Sequence, residues 1–252
     1  MKKISSVVAA VLFSGSFVCA EPVTWVGPKE GGDWGNPANW SSGKIPAAGD
    51  SVVCDRAGTV SISGTAATAG DLTLSPKTSA GGLNLKNEPG TRLEIAGDLN
   101  QTEGCLSIRR FFVTAPEAVV HGNYNATKGT LLMLQKSRSV HTLAVGGNLT
   151  AASEFGFKFL LNKSSAFSAV LVKGAVNLGS AKLEFGSFDG AACASPRLLL
   201  IQSASSLPLT GTFSNAEFGV SRYELNGKTY VLTLGDYDGG GVNNDVYLEA
   251  GI

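Results

Sequence analysis

Apolar residues along this chain come in short alternating runs rather than in helical stripes. Leu93-Glu94-Ile95, Val119-Val120, Leu143-Ala144-Val145 and Val170-Leu171-Val172 are examples. Alternation with period two predicts β-strands buried on one side, and no long stretch places apolar residues at i, i+3, i+4 and i+7 between caps. The runs lead into a shared signature. It reads Ala69-Gly70-Asp71-Leu72, then Ala96-Gly97-Asp98-Leu99, His121-Gly122-Asn123-Tyr124, Gly146-Gly147-Asn148-Leu149 and Lys173-Gly174-Ala175-Val176. The common glycine falls at 70, 97, 122, 147 and 174, at intervals of 27, 25, 25 and 27 residues.

Such a period predicts an all-β fold, a single-stranded parallel β-helix (β-solenoid) of about 25–27 residues per coil. In this reading the glycine supplies a positive φ at a corner, Asp or Asn bonds its own backbone there, and the next apolar residue returns to the core. Coils stacked at ~4.8 Å pair their backbone groups with their neighbours, and one coil alone cannot bury its apolar face. A β-sandwich with regular turns is the competing arrangement. Its strands recur at about 8–12 residues, which would not give five matching corners at this interval.

Both ends of a solenoid expose unpaired strand edges, so covers are expected there. The chain divides accordingly into residues 1–20, a 21–60 Trp-rich cap, 61–195 solenoid coils, and 196–252 C-terminal strands with a hairpin cap. Residues 1–20 read as a secretory leader: Met1-Lys2-Lys3, an apolar stretch from Val7 to Val18, and a small-residue site at Val18-Cys19-Ala20. In the 21–60 segment, Trp25, Trp34 and Trp40 are all the tryptophans of the chain. Two roles are open to them: Trp34 and Trp40 as an aromatic platform for a sugar ring, or all three as apolar plugs of the cap with locally satisfied indole N–H groups. At the other end, Arg222–Leu225 and Lys228–Leu234 flank Asn226-Gly227, a type I′ hairpin signal, and Asp245–Leu248 is a last strand able to close the edge.

The opening Trp25…Asp33-Trp34…Asn39-Trp40…Pro46…Gly49-Asp50 and the ending Gly211-Thr212-Phe213…Tyr230…Asn243-Asn244-Asp245-Val246-Tyr247-Leu248 resemble bacterial autotransporter-associated β-strand repeat proteins. The resemblance implies a surface or secreted passenger with a right-handed parallel β-helix, a scaffold more than an activity. The chain departs from that pattern in showing neither a translocator barrel nor a sorting tail, so self-transport across an outer membrane is not expected of it.

Composition sharpens the picture. Glycine contributes 32 of 252 residues and charged residues only 16%. Lys+Arg and Asp+Glu are 20 each, which gives no footprint for nucleic acid or a membrane surface. Two histidines, His121 and His141, and no Cys-x-x-Cys leave no zinc pattern. Cys54, Cys105 and Cys193 form an odd set beyond the leader, and one pair plus one thiol, or no pair, are both open.

Catalytic signatures are sparse. His121 precedes a repeat glycine and suits a surface turn, and Arg109-Arg110 are neighbours that a strand would point to opposite faces. Glu94, Asp98, Glu103 and Glu117 are scattered. The Asp236–Asp245 loop is rich in oxygen ligands but has Gly240 and Tyr247 where an EF-hand needs Asp/Asn and Glu. The expectation is therefore an exported bacterial protein, secreted or at the cell surface, with the periplasm as the other compartment. Its role would be structural or adhesive and non-catalytic. No cofactor or metal is expected, its partners would be a glycan or extracellular matrix, and it would have no spanning segment once the leader is removed. A carbohydrate-binding module using Trp34 and Trp40 is the alternative, and a β-helix polysaccharide lyase or hydrolase a further one.

Overall fold

The structure is a computed structural model. It describes residues 21–251 apart from 80, 87, 111–117, 136–141, 162–168, 188–195, 226, 238 and 240–241. The leader-like segment 1–20, His141, Glu117 and Cys193 lie outside the described residues. The chain folds as a parallel β-solenoid of about five turns with three strand-bearing faces. Each coil runs along the first face, turns onto the second, then onto the third, and passes through the glycine signature back to the first. Among the described residues, no helix is long and apolar enough to cross a membrane.

On the first face, Val23–Thr24, Val52–Cys54, Leu72–Leu74 and Leu99–Gln101 stack in parallel, followed by 124–126, 149–151 and Val176–Asn177. The second face begins with Gly32–Asp33, Thr59–Ile62, Gly82–Leu85 and Cys105–Arg110. It continues with 130–135, 155–161 and Lys182–Ser187. Tyr124–Gln135 and Leu149–Leu161 run unbroken round the corner between these faces, with a register shift between Ala126 and Lys128 where the backbone bends. The third face stacks Ala66–Ala69, Arg92–Ile95, Ala118–Val120, Thr142–Val145, Ala169–Val172 and Arg197–Ser203. Parallel stacking therefore starts before residue 61 and continues past residue 195.

Alternation decides what is inside. Leu72, Leu99, Tyr124, Leu149 and Val176 occupy one aligned column of the first face and are all buried. Val60, Leu83, Leu106, Leu131, Phe157 and Leu183 do the same on the second. Each such side chain contributes about 1.5–3 kcal/mol by leaving water, and because neighbours in a column come from successive coils, that gain exists only in the stack. One polar knot interrupts the interior. Tyr124 Oη donates to Gln101 Oε1 at 2.6 Å, and Gln101 Nε2 donates to the carbonyls of Gly104 at 2.9 Å and Thr130 at 3.2 Å. Burial holds the Tyr124 phenol well above its ordinary pKa.

The signature corners work differently from the expectation. None of Gly70, Gly97, Gly122, Gly147 and Gly174 has a positive φ. Gly97, Gly122, Gly147 and Gly174 are glycines because the preceding coil comes too close for a side chain, while at Gly70 the nearest atoms would stand 3.1 Å from a Cβ. A Cβ on Gly122 would lie 2.2 Å from Asp98 Oδ1, and one on Gly174 would lie 2.3 Å from Asn148 Oδ1. Nor do the Asp and Asn side chains bond their own turn. Asp71 Oδ1 accepts from the backbone N–H of Asp98 at 2.7 Å, and Asp98 Oδ1 accepts from that of Asn123 at 2.6 Å. Asn123 Oδ1 accepts from Asn148 at 2.9 Å, and Asn148 Oδ1 from Ala175 at 2.8 Å. Ala175 ends the ladder because the last step needs only an N–H. Positive φ is used instead at the corner between the first and second faces, at Gly58 (103°), Gly104 (76°) and Gly129 (104°).

Both ends are covered. Residues 39–41 fold back antiparallel on Val23–Thr24: Val26 N–H donates to Asn39 O at 2.8 Å, and Ser41 N–H to Thr24 O at 2.9 Å. That occupies the edge which would otherwise recruit another strand. At the far end Asp245–Ala250 inserts antiparallel between Arg197–Ser203 and Lys228–Gly235, and Arg222–Leu225 completes the hairpin. Gly227 in its turn has φ of 78°, while Asn226 lies outside the described residues. Asp245 is fully buried, and its two carboxylate oxygens accept from the backbone N–H groups of Ser203 and Tyr237, both at 3.0 Å.

Candidate functional site

The tryptophans are packed inward. Trp34 is 0% and Trp40 2% exposed, and Trp25 is buried beside them. Trp40 meets Trp34 edge-on at 4.6 Å between ring centroids and Trp25 at 5.1 Å. Neither Trp34 nor Trp40 presents a ring face on which a sugar could stack, so in this fold they plug the end of the solenoid. Their polar handles are only partly satisfied. Trp40 Nε1 donates to Trp34 O at 2.8 Å, whereas the indole nitrogens of Trp25 and Trp34 are buried and without a partner. Local satisfaction of all three, as expected from the sequence, is thus not found.

The remaining sequence candidates are dispersed. His121 is exposed at its turn, with Nε2 3.0 Å from Glu94 Oε1, one coil below on the third face. That hydrogen bond, helped by Arg92 at 3.3 Å, holds the Glu94 carboxyl below its usual pKa. Glu103 sits at another corner, where Lys128 Nζ at 2.9 Å lowers its pKa likewise. Asp98 is taken up in the corner ladder. In the Gly-rich loop Asp236 Oδ1 accepts from Gly239 N–H at 2.7 Å. Among the described residues, no three His, Cys, Asp or Glu side chains converge on a point where a metal could sit. Cys54 is a buried thiol, its pKa pushed up to about 12 by desolvation and by Asp55.

What the stacking does assemble is a groove of about 590 Å³ on the outside of the second face, spanning its first four strands. Its polar lining follows from the register. Asp33 pairs with Ser61, Ser61 with Asn84, and Asn84 with Ser107, so four small polar side chains form one outward column. The column changes character at Leu132, the partner of Ser107, and continues as the Lys158–Glu184 ion pair. Ser63 and Lys86 border it, and Glu30 closes one end. At the centre, Asn84 Oδ1 is buried and accepts no hydrogen bond. A buried acceptor left without a donor costs about 1–3 kcal/mol. The sequence pattern that encodes this column is the outward position of four successive strands, each holding a short polar residue.

A second, apolar groove of about 380 Å³ lies on the third face, where Val119, Ala144 and Leu171 point outward between His121 and Lys173. Comparison of the chain with protein-family models, with curated proteins and with solved structures gives no match in any of the three.

Proposed function

We propose that this chain is an exported bacterial β-solenoid with a structural or adhesive role, a rod that holds a binding flank away from its anchorage. The corner ladder carries the proposal. From Asp71 to Ala175 every coil is tied to the next by a side-chain oxygen on a backbone N–H, in addition to the strand pairing. Such ties oppose local opening, and a scaffold tied in this way, with an antiparallel segment laid against an edge at each end, is suited to display rather than to the closing motions of a lid. Export is supported by the leader pattern of residues 1–20. The resemblance of the two ends to autotransporter-associated repeat passengers points the same way.

The test is compartment and processing together. The full chain, expressed in a Gram-negative host, is expected outside the cytosol with Glu21 as its new N-terminus. Lys2→Glu/Lys3→Glu should slow that processing. Intact chain beginning at Met1 and confined to the cytosol would overturn the proposal.

A further inference from the structure

The groove on the second face is polar along its length, weakly charged and uncommitted at its centre. First, its central column is built of Asp33, Ser61, Asn84 and Ser107, side chains of hydrogen-bonding chemistry that offer no apolar socket. Peptide side chains would find little to fill there, whereas a hydroxyl-covered ligand meets donors and acceptors along its length. Second, the charges are few and of both signs, Glu30 and Asp33 against Lys86, so a polyanion would meet two carboxylates for one cation. Third, Asn84 stands at the middle of the column with its Oδ1 shut off from solvent and held by no protein donor, so a half-turn of the amide presents that acceptor to the groove without breaking a bond it makes. Four strands at ~4.8 Å make the column roughly 14 Å long, an extended track rather than a point site. The glycines flanking the floor are set by contacts between coils. Gly82, for example, is required by its own neighbour, since a Cβ there would lie 2.0 Å from Cys105 O.

We propose that this groove binds a neutral, hydroxyl-rich oligosaccharide laid along the column from Asp33 to Ser107, with the Asn84 amide turned so that its Oδ1 accepts a ligand O–H. The proposal deepens the adhesive reading and rests on it only for the compartment in which glycan is met. Recognition here is by hydrogen bonding on a sheet flank, with no part for the tryptophans. Hydroxyl donors on the ligand replace water at the mouth of the groove and satisfy an atom that the protein leaves unpaired.

The experiment is calorimetric titration of the purified full chain with neutral oligosaccharides of glucose, mannose, xylose and N-acetylglucosamine, beside oligogalacturonate as an acidic comparison. At least one neutral probe is expected to bind. Asn84→Leu, which keeps the size and removes the acceptor, should weaken it about tenfold or more, and Ser61→Tyr should block it. Ala144→Tyr, on the third face, should leave it unchanged. Thermal melts show whether the variants fold. If either groove variant does not, hydrogen exchange of the wild-type chain decides, with protection expected over Thr59–Ile62 and Gly82–Leu85 when the probe is added. No neutral binding, binding of the acidic probe alone, or protection elsewhere would overturn the proposal. Those results leave the export test untouched, so the two can fail separately.

Discussion

Asp98 and Asn123, one coil apart, are joined twice through a single atom. Asp98 Oδ1 accepts from the backbone N–H of Asn123 at 2.6 Å and from its side-chain NH2 at 3.2 Å. The same oxygen occupies the space in which a Cβ of Gly122 would stand. Glycine and the acidic or amide residue of the signature are thus one device: one position is emptied so that the other can reach across coils.

Gly122→Ala should therefore destabilise the chain by about 2–3 kcal/mol, because the contacts at 2.2 Å to Asp98 Oδ1 and 2.6 Å to Gly97 O force the coils apart. Gly49→Ala is the control. It has no positive φ and nothing within 4 Å of the added carbon, so its effect should stay within about 0.5 kcal/mol. Urea unfolding with a shared m-value distinguishes the two.

Asp98→Ala should cost about 1–3 kcal/mol, since the Asn123 N–H loses its acceptor inside the stack. Asp98→Asn keeps an acceptor oxygen and should cost clearly less, as the amide-based steps at Asn123 and Asn148 already show what Asn can do there. Equal losses in the two variants, again by urea unfolding, would mean that the ladder is not what holds this corner.

Cys54 gives a pH signature. Its folded pKa is raised, from 9.0 to about 12, so the stability it contributes is complete below about 9 and is lost as pH rises from there towards 12. In that window the unfolded chain ionises its thiol and the folded chain does not, a slope of about 1.4 kcal/mol per pH unit. Cys54→Val lacks the effect. The stability of the wild-type chain relative to Cys54→Val should therefore decline above pH 9 and be constant below it. In native protein at pH 8 the Cys54 peptide should resist iodoacetamide, and in guanidinium it should react.

Trp40→Ala should cost about 3–5 kcal/mol, because it opens a cavity between Trp25 and Trp34 and removes the N–H held by Trp34 O. Folded wild-type protein should emit indole fluorescence blue-shifted from that of the unfolded chain. Emission at the wavelength of the unfolded chain would place the rings in solvent and restore them as ligand candidates.

The rod was legible because its period is written in short-range terms: a glycine, an Asp or Asn and an apolar residue at a nearly constant interval. Why that glycine is there was not legible. Gly97 and Gly122 are required by Asp side-chain oxygens 26 and 24 residues away in sequence, which only the stack brings near. The ladder of positive-φ glycines at Gly58, Gly104 and Gly129 escaped notice because loops of unequal length disturb its spacing. The groove was hidden for a related reason. Asp33, Ser61, Asn84 and Ser107 belong to four strands whose registers are fixed by inward residues such as Val60, Leu83 and Leu106, so the outward column is a by-product of core packing. For the tryptophans the sequence left a sugar platform and a plug both open, since a cluster along the chain does not say which side of the cap it faces, and the burial of Trp34 and Trp40 fits the plug.

The stacking itself is open to direct measurement by pulsed electron–electron resonance. Thr68, Glu94, Val119, Ala144, Leu171 and Gln202 are successive partners on the third face. With Cys54, Cys105 and Cys193 replaced, one spin label at position 68 is paired in turn with a second at 144, 171 or 202. The attachment points should lie roughly 14, 19 and 24 Å apart, rising by one strand spacing of ~4.8 Å at each step. Distances that fail to rise in that order, or that rise by unequal steps, would contradict a rod of coils stacked one upon another.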